Sequence, residues 1–432
     1  MKIAYFTPVS PQKSGITDYS EKDLLPYLSR YAEIDIFIDK GIKPTNPELL
    51  ANFDIRDYTQ YDGIKDEFDI ALYHMGNNEI HKFIYDSSLK NPGITVLHDI
   101  YLHGFLWSRS ISRGDKERYL KEFEYCHGFK GLEAAKIAVK TGVYPEYEYP
   151  LIKRIVDSSY GIVCHSEFGV DKTMECNPEA IASKINMPLR IPDEINFIDQ
   201  VNTEAVKKEL GIDNKRPVIT SFGFISAHKR YPVLLSAFRR FLKNYPDSIL
   251  LLIGKDLIGI DKLISSLKLE KSVKMTGYAP FNKIVDFLAI SDFCVNLRYP
   301  TAGETSSSVL RIMGAGKPVI VSNTDWFSEI PDSCCLKVDV NSYEEETILK
   351  CMEALASDDK LLETIGKNAF EYVTKEHDPD KVAKDYYKFI NNILKGNEHI
   401  INNVSGRLAE FGVKEDDEDI IRNISKLIID LI

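Results

Sequence analysis

Short apolar runs alternate with longer amphipathic stretches along most of this chain. Residues 2–6 (KIAYF), Ile34 to Ile38, Phe68 to Tyr73, Thr95 to Leu97 and Ile162 to Cys164 read as buried strands. Each is apolar and too short for a core helix. Between them the pattern predicts helices from about Thr17 to Tyr31, over 79–89 and across most of 100–141. Residues 186–216 break the rhythm: NMPLRIPDEINF carries prolines and little periodicity, so a linker is predicted, holding one capped helix, TEAVKKELG. The alternation then restarts. Val218 to Phe222, Ser248 to Ile253, Val273 to Thr276, Phe293 to Leu297 and Pro318 to Val321 read as strands, with helices over 232–244, 260–268 and 281–290. From about residue 344 the tail is helical. It includes an amphipathic helix over 380–395, an acidic EDDED patch and an isoleucine-rich last helix, Ile420 to Ile432. The whole pattern predicts two consecutive parallel α/β sheets without a clear sequence repeat.

One βαβ unit stands out, CVNLRYPTAGETSSSVLRIMGAGKPVIVSN at 294–323. Thr305 to Ser308 are good N-cap residues, Val309, Leu310, Met313 and Ala315 give an apolar face, and Gly316 is placed to end the helix. The loop before such a helix lies at the carboxyl edge of the sheet, and free N–H groups at a helix start attract anions. GETSSS therefore reads as a phosphate cradle with one carboxylate, Glu304; an ordinary Ser/Thr-rich cap is the other reading. Gly15, after PVSPQKS, would similarly let a ligand approach a helix start.

Composition narrows the classes. At 432 residues two domains are expected, and a net charge of −11 argues against nucleic acid as a partner. No apolar run approaches the roughly 20 residues that span a bilayer. MKIAYFTPVS reads as strand and turn rather than signal peptide, and the seven cysteines are scattered without a C-x-x-C pair. A cytoplasmic protein is expected.

Four segments now resemble a known family. PVSPQKSGITDYS, PGITVLHDIYLHGF, SFGFISAHKRYPVLLSAF and RYPTAGETSSSVLRIMGAGKPVIVSN fit, in this order, the retaining glycosyltransferases of family 4. The resemblance covers about residues 1–395. It implies the GT-B fold, two Rossmann-like parallel-sheet domains facing each other across a cleft, with a helical C-terminal tail. An acceptor-binding domain would occupy 1–190, a linker 191–216, a nucleotide-sugar-binding domain 217–378 and C-terminal helices 379–432, the first packing back on the N-terminal domain.

The resemblance also implies site residues. The family's donor site has a glycine, an arginine and then a lysine. Gly223 and Lys229 match the first and last, but Phe224 stands at the arginine, so Arg230 is expected to supply the second cation. The family's two glutamates, seven residues apart, align with Gly303 and Arg311. Glu304, one position off, is expected to do the first one's work near the sugar hydroxyls, and Arg311 to face the diphosphate. Thr305, Ser306, Ser307 and Gly15 complete the expected donor set. Glu329, in WFSEIPD, matches a glutamate near the nucleotide; capping is the other reading. His98 and Asp99, at a strand end, are expected near the sugar and acceptor, with Lys229 and Glu304 completing the catalytic group; His103 lies one turn on.

The reaction implied is transfer of a hexose from a nucleotide diphosphate-sugar, GDP-mannose as first guess, to a hydroxyl of a glycan or lipid-linked acceptor with retention. The leaving phosphate would take the acceptor's proton, so no protein nucleophile, metal or cofactor is expected. From Leu102 to Lys121 aromatic and basic residues mix. They read as a core helix with a solvated face, or as a peripheral contact with the inner face of the membrane. The last helix is a candidate for a protein partner. The alternatives are a nucleotide-sugar epimerase of the same fold and a non-catalytic scaffold subunit.

Overall fold

The computed structural model describes residues 1–190, 198–212 and 216–410. The expected EDDED patch and last helix lie outside the described residues, as do 191–197 and 213–215 of the expected linker. The chain divides into two compact units. The first holds Met1–Cys164, Gly169–Ile185 and the described chain from Ala383 onwards; the second holds His165–Phe168 and Asn186–Val382.

The first unit contains seven strands: β1 (Lys2–Phe6), β2 (Glu33–Ile38), β3 (Asp54–Asp57), β4 (Ile70–Met75), β5 (Ile94–Leu97), β6 (Gly161–Cys164) and β7 (Ala182–Lys184). They form one sheet in the order β3-β2-β1-β4-β5-β6-β7, and every pairing is parallel. The strand order reverses between β1 and β4, the arrangement of a doubly wound sheet. The tail returns to this unit through helix Pro379–Glu410. Tyr386 is buried there, and its hydroxyl meets that of Tyr19 at 2.7 Å. Gly161 on β6 leaves room for the same helix: a Cβ there would lie 3.0 Å from Ile393 Cδ1.

The second unit contains β8 (Val218–Phe222), β9 (Ile249–Ile253), β10 (Val273–Gly277), β11 (Phe293–Asn296), β12 (Val319–Ser322) and β13 (Leu336–Val338). The order is β10-β9-β8-β11-β12-β13, again parallel throughout. Helix Tyr231–Phe241 buries Tyr231, Leu234, Leu235, Phe238 and Phe241, one face of a 3.6-residue period. Helix Ser307–Gly314 is followed by Gly316 at φ 67°. Helix Asp359–Glu376 passes so close that a Cβ on Gly366 would lie 2.3 Å from the Gly316 carbonyl oxygen.

The structure departs from the sequence reading in definite places. β3, β7 and β13 were not predicted. All three sit at sheet edges and are partly exposed, so none shows an apolar run. The helix expected from Thr17 begins at Gly15, capped by Ser14, and takes a wider π-turn over Tyr19–Leu24. The stretch 100–141 is broken twice: helix His103–Arg109 is parted near Gly114 at φ 77° from Lys116–Thr141, which is itself kinked at Gly128, φ 59°. Phe105 and Leu106 are buried, and Trp107 packs edge-on against Tyr144 at 4.0 Å. Arg109 is paired with Asp86. Phe105, Tyr119 and Phe123 therefore serve the interior of the first unit, whereas Tyr125 and Phe129 are exposed. All seven cysteines are free thiols.

Candidate active site

In the second unit the strand order turns between β8 and β11, where open α/β sheets bind ligands beyond the strand ends. The loop after β8 carries Gly223 at φ 118°, a backbone shape that favours glycine. A Cβ there would stand 3.5 Å from Lys229 Nζ. Lys229 is only 4% exposed, and its ammonium donates to Asn296 Oδ1 at 2.8 Å. Asn296, at the end of β11, donates from Nδ2 to the Phe222 carbonyl and to Ser308 Oγ, each at 3.2 Å. Those bonds fix the amide so that its oxygen faces the lysine. Burial, with the Arg298 guanidinium nearby, holds the Lys229 ammonium well below its ordinary pKa. Burial first, then the same arginine, pushes His228 down to about 4, so this imidazole is neutral at pH 7.

The loop after β11 supplies the rest. The Arg298 N–H is tied to Ser322 Oγ at 2.9 Å, and the Tyr299 N–H donates to the His228 carbonyl at 2.8 Å. The second bond fastens the Arg298 loop to the Lys229 loop. Arg298 pairs with Glu304 through Nη1. The other oxygen of Glu304 accepts the Ala302 N–H at 2.8 Å. Burial alone would raise the Glu304 carboxyl, but Arg298 and the backbone N–H groups outweigh it and hold it below its usual value. Ser306 caps helix Ser307–Gly314, and Thr305 Oγ1 donates to the His165 carbonyl at 3.3 Å. Two cations, one carboxylate and a helix N-terminus thus share one strand-order reversal. The sum is an excess of positive charge, suited to an anion.

Three expected donor residues are placed differently. Arg230 does not join Lys229. It sits at φ 55° before helix Tyr231–Phe241 and clamps buried Glu344 with two N–H groups. Arg298 takes the position beside the lysine, and nothing in its local sequence marks it for that place. Arg311 lies half-buried in the last turn of helix Ser307–Gly314, away from its N-terminal N–H groups. Glu329 accepts the N–H groups of Glu167 and Phe168, both at 2.9 Å, which is the capping arrangement.

In the first unit the expected acceptor residues also follow strand ends. His98, just past β5, lies 3.1 Å from His74 Nδ1 through its Nε2 and meets the Tyr19 ring edge-on at 4.6 Å. Asp99 accepts the Asn77 N–H at 2.7 Å and so holds the loop after β4. His103 is buried against Tyr119 at 3.0 Å, with its pKa pushed down to about 4 by burial; it is a core residue. Gly15 is exposed, with open space where a Cβ would stand. Among the described residues no group of three His, Cys, Asp or Glu side chains could hold a metal ion.

Residues 202–372 match the family of glycosyl transferases group 1. Less than half of the chain lies within this match. Gly223, Lys229, Arg298 and Glu304 all fall inside it, whereas Gly15, His98 and Asp99 fall outside. Over 183 residues the chain is 28% identical to alpha-monoglucosyldiacylglycerol synthase of Acholeplasma laidlawii, covering 42% of this chain and 45% of the relative. It is 23% identical over 241 residues to the putative glycosyltransferase YtcC of Bacillus subtilis strain 168, covering 51% and 57%. The chain thus spans about half the length of the curated relatives it matches. The crystal structure of Anabaena HepE in complex with UDP-glucose superposes with a TM-score of 0.61 at 16% identity, over 91% of this chain and all of that one. The fold is GT-B: two Rossmann-like parallel sheets of seven and six strands with a helical C-terminal region.

Proposed function

We propose that the protein is a retaining glycosyltransferase. It moves a hexose from a nucleotide diphosphate-sugar to a hydroxyl of a glycan or lipid-linked acceptor, without a metal ion. The observation that carries this reading is Lys229, a buried ammonium held by a neutral amide beside Arg298 and a helix N-terminus. A buried cation without a carboxylate of its own is costly unless an anion arrives. A diphosphate leaving group is such an anion, and preorganised cations stabilise the charge it develops. The bond from the anomeric carbon to the phosphate oxygen breaks on the face where the acceptor oxygen bonds. The acceptor's proton passes to that phosphate oxygen. Glu304 accepts from sugar hydroxyls, and His98 orients the acceptor hydroxyl.

The similar proteins named above, a glucosyldiacylglycerol synthase and a UDP-glucose complex, support a UDP-glucose-type donor ahead of the GDP-mannose anticipated from the sequence. They also favour a lipid acceptor. No helix among the described residues is long and apolar enough to cross a membrane.

A thermal-shift panel of UDP, GDP, dTDP and their sugars tests this. One nucleotide should raise the melting temperature, because a ligand at about 100 times its Kd adds roughly 2.7 kcal/mol. EDTA should leave that shift unchanged, and Lys229→Met should abolish it. A flat panel would favour the non-catalytic scaffold.

A further inference from the structure

We infer that Arg298 is the second cation of the donor site, and that Glu304 holds it in reserve until a diphosphate takes it over. This rests on the donor-site reading above. The positions come first. The bond from the Tyr299 N–H to the His228 carbonyl sets Arg298 and Lys229 on adjoining loops at the strand-order reversal. Arg298 reaches this place from β11, so no spacing along the chain links it to Lys229.

The bonding pattern comes next. A guanidinium presents five N–H groups in a planar fork. One of them, on Nη1, is spent on Glu304. Nε is buried and has no hydrogen-bond acceptor among the described residues. Buried donors are rarely left so, and this one matches a diphosphate, which offers several oxygens to one fork. Glu304 is also engaged, with one oxygen on Arg298 and the other on the Ala302 N–H. Transfer of Arg298 to the diphosphate frees the first oxygen, which can then accept from a sugar hydroxyl. The same exchange gives the buried Nε donor an acceptor and removes a competing cation from the Glu304 oxygen. The other arginines are less suited. Arg230 is committed to Glu344, and Arg311 sits in the wrong turn of its helix.

The test measures UDP and GDP binding, and UMP and GMP beside them, to the full chain by calorimetry. Arg298→Gln should weaken diphosphate binding about ten-fold or more, the usual worth of a charged hydrogen bond. It should weaken monophosphate binding far less, and Arg298→Lys should recover part of the loss. Glu304→Gln should leave diphosphate affinity at or above that of the unaltered protein while raising the KM for the nucleotide-sugar. If Arg298→Gln alone fails to fold, the double variant with Glu304→Gln removes both members of the pair and should show the same diphosphate loss. Undiminished diphosphate binding by Arg298→Gln, or by the double variant, overturns the inference. So does an equal loss in Glu304→Gln, which would make the pair merely structural. If the unaltered protein binds neither nucleotide, the donor-site reading itself falls, and this inference with it.

Discussion

Lys229 is buried and bonded to a neutral amide rather than to a carboxylate, and this makes its behaviour sensitive to pH. Its free-state pKa lies below the ordinary lysine value, and a bound diphosphate would raise it again. The sign follows from that order. Binding takes up protons once the pH exceeds the free-state value, so affinity declines as the pH rises from there toward the bound-state value. UDP or GDP affinity should therefore fall on the alkaline side, starting below pH 10.5, and Lys229→Arg, which cannot deprotonate, should flatten the profile. Calorimetry across a pH series would show it; a flat profile in the unaltered protein would separate Lys229 from the ligand. Residues tied to a local motif were legible from sequence. Gly223 and Lys229 belong to one short loop, and Glu304 precedes an evident helix cap. The partner of Lys229 was not, because Arg230, Arg298 and Arg311 are equivalent to a reader of spacing. Only the fold shows that Arg230 is captured by Glu344 while Arg298 is delivered from another strand.

Apart from β10, a part-exposed edge strand that was still predicted, the strands were legible in proportion to their burial. β1, β4, β8 and β11 are sheltered within their sheets and leave apolar runs in the sequence. β3, β7 and β13 have a neighbour on one side only and carry charged residues, as edge strands do. Packing between helices was equally hidden. Gly366 lies inside helix Asp359–Glu376, where alanine would ordinarily be favoured by about 1 kcal/mol. Here its Cβ would press on the Gly316 carbonyl at 2.3 Å, and overpacking of that kind costs typically 1–3 kcal/mol. The steric cost should win. Gly366→Ala should lower the melting temperature and, by displacing helix Ser307–Gly314, weaken nucleotide binding. Equal or higher stability would show that the two helices separate freely.

At the scale of the molecule, the two-sheet plan was visible because the apolar rhythm stops near residue 186 and restarts near 218. The path of the chain through that plan was less visible. His165–Phe168 count with the second unit although β6 and β7, on either side, belong to the first. The tail contributes to the first unit from Ala383 onwards. Tyr386 is fully buried there and bonded to Tyr19. Tyr386→Ala should cost about 3–5 kcal/mol, the range for a large aromatic residue in a core. The loss should appear as earlier unfolding of the first unit, followed by hydrogen exchange in β1 and β6. Unchanged exchange in those strands would mean that the tail only rests on the surface.

The returning tail also bears on biosynthesis. When a ribosome has made the first 185 residues, all seven strands of the first sheet exist, but Tyr386, Ile390 and Ile393 do not. Roughly 200 residues must still be added, which at about 5–20 residues per second takes about 10–40 s. During that interval the nascent sheet exposes the apolar surface that the tail later covers. The unit begun first is completed last, and a chain halted before residue 383 should be held by chaperones or aggregate rather than fold.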